Sequence, residues 1–328
     1  MKINFKQAFL ILFPLMFFSC SNNEYKVNIN NINLNDYDVN RYEIDLLKIP
    51  HDNFLNGLLD LSDKYEVFLG DIKQDTNGVG LIYDFVTDDY VSKVYDECMI
   101  FYENFSQQEN DFEKCFKHIK YYYPNFIAPD IYTYISGFDF EYPCVYDGEN
   151  LFLALDMYLG ENSNYYALGI PAYIVKKFNE DFIVRDAIEQ IAAYNNASSN
   201  SYTRLIDLMI YYGKNWEFIK SMSPDMHDTI ITGFTANQLN WCKKNEKDVW
   251  KYLLSDNTLF TNDLRVMKKL IDDAPYTSFF SQESPGSVCK WIGWHIVHSY
   301  MKNNKISLEE MMAIADNDLI LSKSGYRP

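Results

Sequence analysis

Between Phe54 and Gly70 the apolar positions Phe54, Leu55, Leu58, Leu59, Leu61, Tyr65 and Phe68 return every three or four residues. That spacing is one buried helix face, and Gly70 is the kind of residue that ends such a run. The same period predicts helices over residues 91–102 and 112–122. In the middle of the chain the pattern changes. Residues 131–138, 142–146 and 151–159 are rich in Tyr, Ile, Val and Leu, and Asp147, Gly148, Glu149 and Asn150 separate the last two runs. An Asp-Gly pair between apolar runs is a hairpin signal, so a small sheet of about three strands is expected here. Helical spacing resumes over residues 171–178, 183–194, 202–222, 236–244, 248–254 and 263–272. Ser284, Pro285 and Gly286 break it before two last stretches, 288–302 and 308–321. With no low-complexity linker and no internal repeat after residue 41, the pattern describes an α+β fold. It is a mainly helical single domain over residues 41–328 with a small central sheet.

The first nineteen residues follow another logic. Lys2 and Lys6 precede an almost wholly apolar stretch from Ala8 to Phe18, the arrangement of a secretion signal. The stretch is too short to span a bilayer as a mature helix. Ser19 stands directly before Cys20, and this junction resembles the bacterial lipoprotein box, in which the cysteine is lipidated and becomes the new N-terminus. Phe17 departs from the usual Leu. The alternative is a plain signal peptide in which Cys20 is incidental. Asn-rich residues 20–40 then read as a lipidated cysteine followed by a polar tether.

Charge and composition narrow the function. The chain has 29 Lys and Arg against 46 Asp and Glu, a net charge of -17, and loss of residues 1–19 with their two lysines leaves -19. Nucleic acid is excluded as an expected partner, because backbone affinity comes from clustered basic residues and no basic block occurs. So acidic a body is repelled by anionic headgroups, and the expected membrane partner is therefore reached through the acyl chains on Cys20 alone. The abundance of aromatic residues, 27 Tyr, 23 Phe and 5 Trp, excludes a disordered chain. Those rings either build the core or line a glycan or peptide groove. Export leads to an oxidising compartment, but Cys98, Cys115, Cys144, Cys242 and Cys289 are odd in number and irregular in spacing. They are expected to be mostly buried free thiols, with at most one or two bridges.

Signatures of catalysis are missing from the sequence. There is no His-Glu-x-x-His helix, no Gly-x-Ser-x-Gly elbow, no papain-type cysteine signature and no phosphate loop. The order of elements nonetheless resembles that of zincin peptidases, with the sheet followed by a helix in which Ile188 and Ala192 stand where the metal-binding histidines would be and Glu189 lies between them. Such an arrangement would be degenerate, since no metal binds without the imidazoles, and the plainer reading is an amphipathic core helix. His295 and His298 lie three apart and would share a helix face, so they are candidate metal ligands if a third comes from elsewhere. No catalytic residue and no cofactor is assigned.

One further block is distinctive. Glu283, Ser284, Pro285 and Gly286 are followed by Trp291, Ile292, Gly293, Trp294, His295, Ile296 and Val297, and the chain ends on Lys323, Ser324, Gly325, Tyr326, Arg327 and Pro328. Together with residues 155–160 (Leu-Asp-Met-Tyr-Leu-Gly) and 208–214 (Leu-Met-Ile-Tyr-Tyr-Gly-Lys), this resembles the GldB family of gliding-motility-associated lipoproteins of the Bacteroidetes. The resemblance covers nearly the whole chain after the signal. It implies a lipid-anchored cell-envelope protein working with gliding or secretion machinery through contacts with other envelope proteins, and it carries over no catalytic residue. Read as physics, Pro285 and Gly286 turn the chain into a helix, Gly293 admits a close neighbour, and Trp291 and Trp294 cover one face. The expectation is a non-enzymatic assembly or stabilising component. The rival expectations are a metal-dependent hydrolase of zincin-like ancestry using His295 and His298, and a glycan-binding envelope lipoprotein.

Overall fold

The computed structural model describes residues 25–167, 169–197 and 202–328. At its centre the period-two segments form a sheet of four strands, β1 (Val39–Arg41), β2 (Asp130–Tyr134), β3 (Cys144–Tyr146) and β4 (Asn150–Ala154), in the order β1-β2-β4-β3. β2 pairs in parallel with both β1 and β4, with Ile131 opposite Val39 on one side and opposite Leu151 on the other. β3 closes the edge antiparallel to β4 through the expected hairpin, where Gly148 takes a φ of 107° and the Asp147 carboxylate accepts from the backbone N–H of Glu149 and Asn150.

Ahead of β2 run α1 (Tyr42–Leu47), α2 (Phe54–Leu61), α3 (Glu66–Leu69), α4 (Thr76–Thr87), α5 (Asp89–Tyr102) and α6 (Ser106–Tyr122). After β4 come α7 (Ala172–Val175), α8 (Asp181–Asn195), α9 (Leu205–Met222), α10 (Asp228–Thr232), α11 (Ala236–Leu254), α12 (Leu264–Ile271), α13 (Val288–Asn304), α14 (Leu308–Ala313) and α15 (Asn317–Ser324). Because successive side chains of a strand face opposite ways, the sheet divides two clusters. Tyr132, Tyr134 and Phe152 meet Tyr42, Tyr65 and Phe68 from the N-terminal helices. Ile131, Leu151 and Leu153 face the main core built by α5, α6, α8, α9 and α13.

The sequence reading differs from this structure in several places. The sheet has four strands rather than about three, because β1 is only Val-Asn-Arg, too short to show a period. β4 stops at Ala154 instead of running to residue 159, since Leu155–Met157 turns as a 3-10 helix and brings the Asp156 carboxylate back onto the chain. Residues 236–254 form one helix, and residues 308–321 hold two, the second begun by Asp316, whose side chain accepts from the Leu319 N–H. α4 went unread, its apolar spacing diluted by Gly78 and Gly80. The described part of the expected tether, residues 25–40, lies along the body: Leu34 and Tyr37 pack on the main core, and Asn35 bonds the backbone of Ala128. Cys20 is outside the described residues, and all five remaining cysteines are buried free thiols. Among the described residues no helix is long and apolar enough to cross a membrane.

The tightest junction is the crossing of α9 and α13. A Cβ on Gly293 would lie 1.8 Å from the Met209 carbonyl oxygen, and one on Gly213 would lie 2.4 Å from the Gly293 carbonyl oxygen. These obstacles are backbone, so no rotamer change relieves them. A glycine inside a helix costs about 1 kcal/mol relative to alanine, and here both are offset by a contact that no larger residue permits. Replacing Gly293 with alanine is expected to lower stability by about 3 kcal/mol, at the upper end of overpacking costs. Urea denaturation checks it: the midpoint should fall with an unchanged slope, whereas a loss under about 0.5 kcal/mol would mean that the helices simply separate.

Candidate functional site

One turn beyond Gly213 on α9 stands Glu217, and next to Gly293 on α13 stands Trp294. The glycine crossing brings the two together. Glu217 is 2% exposed, and its carboxylate accepts from Trp294 Nε1 at 2.7 Å and from the Tyr25 hydroxyl at 3.1 and 3.2 Å. His298 Nδ1 lies 3.1 Å from Glu217 Oε1 and 2.9 Å from the Tyr25 hydroxyl oxygen. In the tautomer with hydrogen on Nδ1 the imidazole gives the carboxylate a further donor. This is the usual solution for a buried acid, whose cost is relieved only by hydrogen bonds. Trp216, Trp291 and Trp294 pack edge to face around it, with ring centroids 5.9 and 6.0 Å apart.

Above this joint opens a cavity of about 270 Å³ lined by Tyr25, Lys220, Asp228, Lys243, Glu246, Trp291, Trp294, His295 and His298. Its charged groups are largely engaged. Lys220 Nζ is 3.1 Å from Asp228, and Glu246 accepts from the Tyr326 hydroxyl at 2.6 Å. His295 lies against Trp291 with centroids 4.3 Å apart, and burial pushes its pKa below the usual imidazole value. Its Nε2 and the Trp291 Nε1 have no hydrogen-bond partner among the described residues. Among the described residues no serine, threonine or cysteine lines the cavity. A carboxylate holding a histidine is the geometry that orients a general base, and here the group within reach of the imidazole is the Tyr25 hydroxyl, itself bonded to the same carboxylate.

The two histidines of the sequence reading therefore share a cavity but play different parts. His298 joins Glu217 and Tyr25, while His295 packs on an indole. Among the described residues no group of three His, Cys, Asp or Glu side chains is placed to hold a metal ion. The zincin-like positions are equally occupied: Ile188 and Ala192 are fully buried in the core, and Glu189 is paired with Arg185, whose guanidinium also donates to the Ile231 carbonyl at 3.0 and 3.1 Å. Pro285 and Gly286 do lead into α13, and Thr277 Oγ1 donates to the Pro285 carbonyl at 2.7 Å; a Cβ on Gly286 would lie 2.2 Å from the Ala274 carbonyl.

Sequence reasoning did not single out Glu217 or Tyr25. Glu217 is one acid among 46. The signal that could have found it is its position four residues after Gly213, hence on the face that meets the other helix. For Tyr25 no local signal exists.

The remaining distinctive blocks have a physical basis as well. In residues 155–160 the buried Asp156 accepts from the N–H of Ser136 and Phe138 at 2.9 and 2.8 Å, fastening a turn in which Gly137 and Phe138 both have positive φ. Tyr158 donates to Asp186 at 3.0 Å. In residues 208–214, Gly213 makes the crossing and the next residue, Lys214, is fully buried with its ammonium on the Ile314 carbonyl.

The chain is a member of the family described as gliding motility protein GldB, whose profile matches residues 22–328. At the level of the family it is a gliding-motility-associated lipoprotein of the cell envelope. No curated protein and no solved structure matches the chain.

Burial lowers the Lys214 pKa from 10.5 to about 7. Between those values the unfolded chain holds a proton that the folded chain has lost, so stability rises with pH across that window and falls back as pH drops to about 7. Relative to Lys214→Met, the unsubstituted protein should gain up to about 1.4 kcal/mol per pH unit between pH 7 and 10 in urea titrations. Parallel curves for the two proteins would refute it.

Proposed function

We propose that the protein is a lipid-anchored, non-catalytic part of an envelope machine of the gliding or secretion type, acting as an assembly or stabilising factor through protein contacts. The observation that carries this reading is the use made of Glu217, His298 and Trp294. The acid and the imidazole from which a hydrolase would be assembled are spent on joining α9, α13 and the N-terminal segment. Membership of the family supports the setting, and the lipoprotein box at Cys20 supports the anchor. Each acyl CH₂ buried in the bilayer is worth about 0.8 kcal/mol, so two or three chains hold the body permanently despite its charge.

Cys20→Ser should move the protein from the membrane pellet to the soluble fraction and reproduce the loss-of-function phenotype while the body stays folded by circular dichroism. A soluble variant that retains full function would defeat the proposal. The non-catalytic part is checked separately by zinc titration calorimetry on the purified chain, which should give no stoichiometric uptake. One tightly bound zinc, lost on replacing His295 and His298 with alanine, would restore the hydrolase reading.

A further inference from the structure

The chain leaving α6 for β2, residues 121–129, opens with three tyrosines and shows apolar side chains to solvent: Tyr121 is 45% exposed and Ile127 71%. Its shape is fixed from within. The Phe126 N–H donates to the Tyr123 carbonyl at 2.8 Å across a Pro124-Asn125 turn, and the Lys120 ammonium reaches back to the Phe126 carbonyl. The Phe126 ring packs on Phe116 with centroids 5.8 Å apart.

The N-terminal segment is bound against this loop. Asn35 accepts from the Ala128 N–H at 2.8 Å and donates to the Ala128 carbonyl at 3.1 Å. At the other end of the segment Tyr25 donates to Glu217, and the same carboxylate, after burial and Tyr121, helps to raise the Tyr122 pKa. Tyr123 packs on Phe218, the next residue of α9, with centroids 6.0 Å apart. Cys20 stands five residue steps before Tyr25, and a chain reaches at most about 3.6 Å per residue, so an anchor at Cys20 is held close to this loop.

Charge sets this face apart from the rest of the body. Between Glu24 and Asp36, and again between Glu113 and Asp130, the chain has no Asp or Glu, although it carries 46 of them in all, and the two stretches hold four lysines. Three acids at the border are each matched by one of those lysines: Asp225 by Lys26 at 2.7 Å, Asp111 by Lys114 at 2.8 Å and Glu113 by Lys117 at 2.5 Å. So acidic a protein is repelled by anionic headgroups, and a face poor in free acids is the one it can bring against them. Tyrosine suits that depth, with an apolar ring and a hydroxyl that stays wet, and an aliphatic neighbour supplies the part that enters the acyl boundary.

We propose that the loop of residues 121–127 is the membrane-contact face of the protein, with Tyr121 and Ile127 seated in the headgroup region of the bilayer that holds the anchor. The inference deepens the anchored reading and rests on Cys20 only for the place at which the body is held. Its test therefore supplies the tether independently of acylation.

The chain from residue 20 onward, carrying Cys20→Ser, is tied by an N-terminal polyhistidine tag to nickel-chelating lipid in vesicles of phosphatidylethanolamine and phosphatidylglycerol. A nitrobenzoxadiazole probe is placed on Asn125→Cys, or on Leu81→Cys as the reference; the native cysteines of the body are buried, so the introduced thiol takes the label. Leu81 is 71% exposed on α4, whose Val79 and Ile82 pack in the cluster on the other side of the sheet. Nitroxide carried on the lipid should quench the Asn125 probe at least about threefold more than the Leu81 probe, and aqueous iodide should show the reverse order. Ile127→Glu combined with Tyr121→Ser should bring the Asn125 probe down to the Leu81 level. Both side chains are exposed, so this double variant is expected to keep its thermal midpoint, which controls for folding. Equal lipid quenching at the two positions, or quenching at Asn125 that the double variant leaves undiminished, would overturn the assignment. Shielding of Asn125 from iodide without quenching by the lipid nitroxide would overturn it as well, by showing the loop covered by a second copy of the chain.

Discussion

The backbone-to-backbone approach of α9 and α13 at Gly213 and Gly293 is the constraint from which most of the remaining architecture follows. Only at that separation can Glu217 receive the Trp294 indole hydrogen, and only then do the three indoles meet edge to face. The carboxylate so placed has further acceptor capacity, which His298 and Tyr25 fill. Two residues with no side chain thus determine where a buried charge-bearing group can be tolerated.

The same economy recurs across the core. Glu43 accepts from Arg41 Nε and from Thr133 Oγ1, both at 2.7 Å, and Arg41 in turn donates to the Tyr102 carbonyl. Asp156 fastens the turn after β2, and Arg185 ties α8 to the end of α10. Each joins segments far apart in the chain, and each would be expensive to bury unpaired. The distinctive sequence blocks at residues 155–160, 208–214 and 283–297 therefore sit where helices cross or where a turn is fastened.

How much of this the sequence discloses depends on the range of the interaction. The helices over 183–194 and 288–302, the Asp147-Gly148 hairpin and the role of Gly293 are legible because period, turn chemistry and the lack of a side chain are local properties. β1 is not legible, since Val39–Arg41 becomes a strand only by pairing with β2 some ninety residues later. The candidate site divides in the same way. His295, His298, Trp291 and Trp294 can be placed on one helix from their spacing, but their acid partner comes from another helix and Tyr25 from the far end of the chain.

The Tyr25 contact acquires a mechanical meaning under the proposed anchor at Cys20. Five residue steps separate it from Cys20, and a chain extends at most about 3.6 Å per residue, so the Tyr25 backbone lies within roughly 18 Å of the proposed lipidation position. A partner that drags the body away from the bilayer tensions this leash after a very short travel. The tension enters the protein at Tyr25 and reaches Glu217 and His298 directly, on the two helices whose backbones are already in contact. The leash ends beside the close backbone approach of α9 and α13, so a pull that would peel a strand from a sheet edge is met here by a joint that shares it between two long helices.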